Sequence, residues 1–174
     1  MSLYLAVRLL QRRGRPVKLV RLGVTEFGGV DPEAFRAIAD DVPHLGDVPW
    51  RDVPGYLALA DAYVQPGAPD DFNRYRLPSK LPEFLAMGRP VRLPRANIGN
   101  DLVDGEEALL LDRGDAQEIA AKLELLLDDP ALAARLGEGA RRFALENLSW
   151  QRNSRGLADF YRELLEAHGA EAAA

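Results

Sequence analysis

The chain has 174 residues, 47% of them hydrophobic, and a net charge of -5 from 22 basic and 27 acidic side chains, a balance that suits one domain burying its own core without cross-links. It has no cysteine, and its two histidines, His44 and His168, are too far apart to match a metal-ligand spacing, so disulfide, thiolate and zinc chemistry are excluded. The charges are dispersed rather than gathered into a basic stripe, which argues against nucleic acid as a partner.

From Leu3 to Arg13, leucine and valine recur at helical spacing, and Gly14 stops the pattern. The one dense basic run, Arg8 to Arg15, reads as the polar face and carboxyl end of this helix, where cations suit the dipole. Contact with a phosphate or with a membrane surface from outside is the other use open to it. No apolar run approaches the ~20 residues of a membrane helix. In "MSLYLAVRLLQRRG" the charges follow the apolar part, the reverse of a secretory signal, and a cytoplasmic protein is expected. A β-branched strand, "PVKLVRLGV", comes next. Pro32 opens a second helix to about Asp40 with Asp31 as its N-cap, and "VPHLGDV" is a short extended segment. A third helix runs through "VPGYLALADA" from near Pro54 into the apolar strand "AYVQP".

"DDFNRYRLP" has no periodicity and reads as a polar loop of functional length. It delivers the chain into a helix of about two turns, "SKLPEFLAMG". Ser79 is its expected N-cap, Pro82 sits in the first turn where no N–H is missed, and Gly88 lies just past the end. Two more strands, "RPVRLP" and "ALLLD", flank the loop "RANIGNDLVDGE". Helices are then expected over Ala116 to Leu127, Pro130 to Asn147 and, capped by Ser149, Trp150 to about His168. The domain would span residues 3–168, with 169–174 as a frayed tail. Strands alternating with helices imply an α/β fold, a Rossmann-like, mostly parallel sheet flanked by helices. Ligands bind such sheets at the carboxyl ends of the strands.

The helix opened by Ser79 is the candidate site. Its free N–H groups and dipole favour a phosphate, Lys80 adds a mobile cation, and Glu83, one turn in, can accept two hydrogen bonds from a ribose diol. The plainer alternative is that Ser79 only caps, Lys80 is solvated and Glu83 complements the dipole.

"ADAYVQP", "PSKLPEFLAMGRPV", "VDGEEALLLDRGD" and "LLLDDPALAARLGEGARRFALENLSWQ" resemble, in order and spacing, the carboxyl-terminal domain of group-1 glycosyltransferases with the GT-B fold. The resemblance implies that this half of the enzyme holds a nucleoside-diphosphate sugar, with Glu83 on the donor ribose and Ser79, Lys80 and Leu81 at the diphosphate. It places Gly23 by the nucleotide and His44 by the base, although His44 also reads as a loop histidine with no ligand. Many relatives carry a second glutamate at the position of Tyr75, touching the donor sugar. With that residue replaced, Phe72, Asn73, Tyr75 and Arg76 are candidate donor contacts or simply pack the loop, and Arg76 could neutralise phosphate charge. Relatives also have an amino-terminal acceptor domain, and a strand with a basic turn before the helix resembling Leu3 to Arg13. Neither is present here, so a fragment or truncated reading frame with a gapped or exposed sheet edge is expected.

The resemblance implies sugar transfer to a hydroxyl acceptor with retention of the anomeric configuration and without a metal cofactor, since helix dipoles and basic side chains stabilise the leaving diphosphate. No catalytic residue is assigned. A non-catalytic nucleotide-binding or interaction module is the alternative. A nicotinamide-type Rossmann enzyme is disfavoured because no G-x-G-x-x-G follows a strand. In the last helix Leu157, Phe160, Tyr161, Leu164 and Leu165 share one side, a face that could pack on its own sheet or mediate self-association.

Overall fold

The computed structural model describes residues 1–23 and 42–172. Helix α1 covers Ser2–Arg12 and buries Ala6, Val7 and Leu10, the apolar stripe read from its spacing. After the 3₁₀ turn Trp50–Asp52 come α2 (Val53–Leu57), β1 (Tyr63–Val64), α3 (Asp71–Tyr75), α4 (Leu81–Ala86) and β2 (Val91–Pro94). A second 3₁₀ turn, Asn97–Asn100, precedes β3 (Leu109–Leu111), α5 (Ala116–Asp128), α6 (Pro130–Asn147) and α7 (Trp150–Ala172). The expected helix Pro32 to Asp40 lies outside the described residues.

The three strands form one parallel sheet in the order β1-β2-β3, with Val64 beside Arg92 and Arg92 beside Leu109. Alternation assigns the faces. Tyr63, Val91, Leu93 and Leu110 meet Leu81 and Leu85 of α4 and Ala140, Phe143 and Ala144 of α6. On the other face Val64 and Leu111 meet Ala6 and Leu10 of α1 and Ile119 and Ala120 of α5. The sheet is therefore covered by helices on both sides, as expected for parallel strands. Helix α6 comes close to the chain after α4 because Gly137 has no Cβ; one added there would overlap the carbonyl oxygen of Gly88.

Several local expectations are corrected. Among the described residues, the part of "PVKLVRLGV" up to Gly23 forms a single parallel bridge, Arg21 to His44, rather than a strand within the sheet. Its bonds run from the Arg21 N–H to the Pro43 carbonyl (3.0 Å), from Leu45 to Arg21 (3.0 Å) and from Gly23 to Gly46 (2.8 Å). Val20, on the alternate register, is 54% exposed, so β-propensity alone did not extend the pairing. Helix α2 ends at Leu57 instead of running through Ala62. The supposed loop "DDFNRYRLP" contains α3, because Asp70 accepts the Asn73 N–H at 2.8 Å and starts a helix that hydrophobic periodicity cannot reveal. Ser79 does not cap α4: Lys80 is the N-cap, with no side-chain cap bond, and the Leu81 N–H instead reaches the Pro78 carbonyl at 3.0 Å.

The basic run after α1 is engaged by α5: Arg13 pairs with Glu124 at 3.0 Å, and Arg15 with Asp128. Helix α7 continues to Ala172, and Ser149 bonds the Gln151 side chain rather than capping a backbone N–H. No helix among the described residues is long and apolar enough to cross a membrane.

Candidate functional site

Helix α4 is held from three sides. Leu81 and Leu85 are buried, Phe84 stacks on Tyr63 of β1 at 4.5 Å between ring centroids, and the Arg141 guanidinium donates to the Ala86 carbonyl at 2.9 Å. Its amino end is thereby fixed at the carboxyl edge of β1 and β2.

A small cleft opens there, lined by Gln65 at the end of β1, Asn73 and Arg76 around α3, Pro78 and Leu81 at the start of α4, Pro94 at the end of β2 and Asn97 after it. Asn73 is fixed by two bonds from its amide, to the Ala68 carbonyl (3.0 Å) and the Asp70 carboxylate (2.9 Å). Asn97 donates to the Arg74 carbonyl at 3.1 Å, tying α3 to the loop after β2. The Arg76 guanidinium lies over the Phe72 ring, 5.0 Å from its centroid, a cation–π contact. The cleft therefore combines an apolar floor with a cation and an amide at its wall.

The sequence candidates divide into groups. Asn73, Arg76 and Leu81 line the cleft. Ser79, Lys80 and Glu83 are exposed around the α4 amino end. Glu83 stands in its first turn. Crowding around the Lys80 ammonium removes hydration, and Arg76 adds positive charge; both lower its pKa, and an anion would relieve the second effect. Phe72 and Tyr75 point outward, Tyr75 being 81% exposed. Gly23 and His44 are brought together, the His44 Nε2 bonding the Gly23 carbonyl, but neither lines this cleft. Among the described residues no cluster of three or more His, Asp or Glu could hold a metal ion.

One feature of this end of the sheet was not singled out from sequence. Glu118, 8% exposed, accepts three backbone N–H bonds, from Asp112 (2.8 Å), Arg113 (2.9 Å) and Gly114 (2.8 Å), and its own N–H bonds the Asp115 carboxylate at 2.8 Å. Burial raises its pKa, but the three N–H groups outweigh burial and hold the carboxyl below its usual value. The signal was present as Asp115-x-x-Glu118, the pattern of a reciprocal helix cap.

Residues 2–129 match the family model described as glycosyl transferases group 1. The chain is 32% identical over 160 residues to the D-inositol 3-phosphate glycosyltransferase of Salinispora arenicola, covering 90% of this chain and 32% of that protein. It is 39% identical over 120 residues to the MMP alpha-(1->4)-mannosyltransferase of Mycolicibacterium hassiacum, covering 68% and 28%. Its fold is similar to that of Anabaena HepE solved in complex with UDP, with a TM-score of 0.76 at 20% identity over 91% of this chain and 44% of that one. It is also similar to the solved C-terminal domain of a group 1 family protein, LpcC, from Francisella tularensis, with a TM-score of 0.67 at 16% identity over 85% and 77%. The chain spans about a third of the length of the curated relatives named here. Its parallel sheet, helices on both faces and family match together lead to one conclusion: the chain belongs to the group 1 glycosyltransferases, with the α/β architecture of a GT-B half.

Proposed function

We propose that this chain is the donor domain of a nucleotide-sugar-dependent glycosyltransferase. In this reading a nucleoside-diphosphate sugar lies along the carboxyl edge of the sheet, and its sugar passes, with retention, to a hydroxyl acceptor held by a separate acceptor domain. The observation that carries the reading is the family match over residues 2–129, and the small cleft where Arg76, Asn73 and the start of α4 converge marks the edge of the sheet at which the donor would lie. UDP in the similar HepE structure supports a nucleoside diphosphate as the ligand class.

The roles are those that the family resemblance implies. Glu83, exposed in the first turn of α4, would accept both ribose hydroxyls. Lys80 and Arg76, with the backbone at Ser79 and Leu81, would meet the diphosphate as paired cations and N–H donors. By the same resemblance Phe72, Asn73 and Tyr75 are candidates for the sugar and Gly23 and His44 for the nucleoside; of these five, Asn73 lines the cleft. This cationic rim would stabilise negative charge on the leaving diphosphate without a metal cofactor.

Calorimetric titration of the chain with UDP, GDP and ADP tests the reading. One of them binds, and Glu83→Ala weakens that binding by about 1.5–3 kcal/mol, the scale of charged hydrogen bonds. Binding by none, or an unchanged affinity in the variant, overturns the assignment. Tyr75, exposed where many relatives carry a sugar-contacting glutamate, favours a second reading, a nucleotide-binding module without transfer. Nucleotide binding without donor hydrolysis or transfer, with an acceptor domain supplied, would select it.

A further inference from the structure

We propose that Glu118, on α5 and outside the cleft, is a positioning residue for the donor-side segment 66–76, acting through a contact between Gly114 and Gly67. The link to donor affinity rests on the donor-domain reading above; the mechanical link does not.

The chain of contacts is continuous. Glu118 gathers the N–H groups of Asp112, Arg113 and Gly114 and so fixes the loop that leaves β3. An ordinary reciprocal cap returns the glutamate to the N-cap N–H; Glu118 instead reaches past Asp115 to the three residues before it. The loop it holds lies directly against the segment leaving β1: a Cβ at Gly114, where φ is +67°, would overlap the Gly67 carbonyl oxygen. Gly67 is enclosed on its other sides as well. A Cβ there would stand 2.9 Å from the Asn73 Nδ2 and 3.0 Å from the Pro94 Cγ, and both of those residues line the cleft. Asn73 in turn holds the Ala68 carbonyl and the Asp70 cap that starts α3. A buried carboxylate on one helix therefore sets the floor against which Asn73 and the entry to Arg76 are placed.

The geometry specifies the disruptive change. In Glu118→Gln one acceptor oxygen becomes an NH2 group, so at least one backbone N–H faces a donor instead of an acceptor. Gly114→Ala breaks the same path from the other side with the carboxylate intact. Hydrogen exchange on the full chain reads the coupling segment by segment. In both variants amides in 67–76 exchange roughly tenfold faster or more, while those of β2 and α6 keep their protection. Measured at a temperature where all forms are folded, the nucleotide Kd rises by roughly three- to tenfold. Acceleration confined to 112–114, or spread evenly over the chain as in simple destabilisation, would overturn the proposal. If the parent binds no nucleotide, the donor-domain reading fails and the exchange pattern alone decides the coupling.

Discussion

Arg92 is the residue most at odds with its surroundings. It occupies the middle of β2 with no exposure, makes one bond from Nη2 to the Lys122 carbonyl at 3.2 Å, and leaves Nε and Nη1 without partners. Burial pulls its pKa down to about 9, so it remains cationic at neutral pH. A buried cation without a counter-charge among the described residues opposes folding, and an apolar side chain of similar reach would remove that cost. Arg92→Leu is therefore expected to raise unfolding free energy by about 1–4 kcal/mol, read as a higher midpoint in urea. A lower midpoint would mean that the guanidinium is compensated in a way its single bond does not suggest. Glu118 shows the opposite case. Buried as well, it has three backbone N–H groups turned toward it, and its lowered pKa makes that stabilisation present above the ordinary carboxylate range and lost as pH falls through the folded value.

At the scale of elements, short helices here are set by caps and anchors more than by propensity. Helix α3 has five residues, far too few to persist alone, and none of them is buried. The Asp70 carboxylate starts it, and Asn97 ties it to the turn after β2. Asp70→Ala is expected to cost about 1 kcal/mol and to speed exchange of the Asn73 amide before that of neighbouring elements. Equal protection in the variant would show that the Asn97 tie alone holds α3. Helix α4 lacks a side-chain cap, so its position depends on Leu81, Leu85 and the Tyr63–Phe84 stack. Its candidate binding groups are thus carried on a rigid element although its first turn is open. Ser79 has the residue type of a cap, but the chain turns through Pro78 and enters the helix one residue later.

At the scale of the molecule, and among the described residues, helices on both faces cover one three-stranded parallel sheet, while the Arg21–His44 bridge stands apart from that ladder. Helix α7 contributes little to this core. Every described side chain from Trp150 to His168 is exposed, and at 100° per residue Leu157, Tyr161 and Leu164 fall opposite Arg155, Asp159 and Glu166. Truncation after Ser149 is expected to leave the urea midpoint of the body within the equivalent of about 0.5 kcal/mol and to remove any concentration-dependent gain in mass by sedimentation. A large loss of stability would show that α7 packs on the body in solution. The sequence by itself determined the α/β class, the parallel direction of short apolar strands, and the limits of α6 at Pro130 and Asn147, because period, proline and cap chemistry act within a few residues. It also pointed to the α4 opening, where loop, cation and carboxylate lie close in the chain. It did not determine that "PVKLVRLGV" would pair through one bridge, that Arg92 would be buried, or that Glu118 would hold a loop against Gly67 near the cleft. Pairing, burial and loop contact depend on which distant segments meet, and only the tertiary structure decides that.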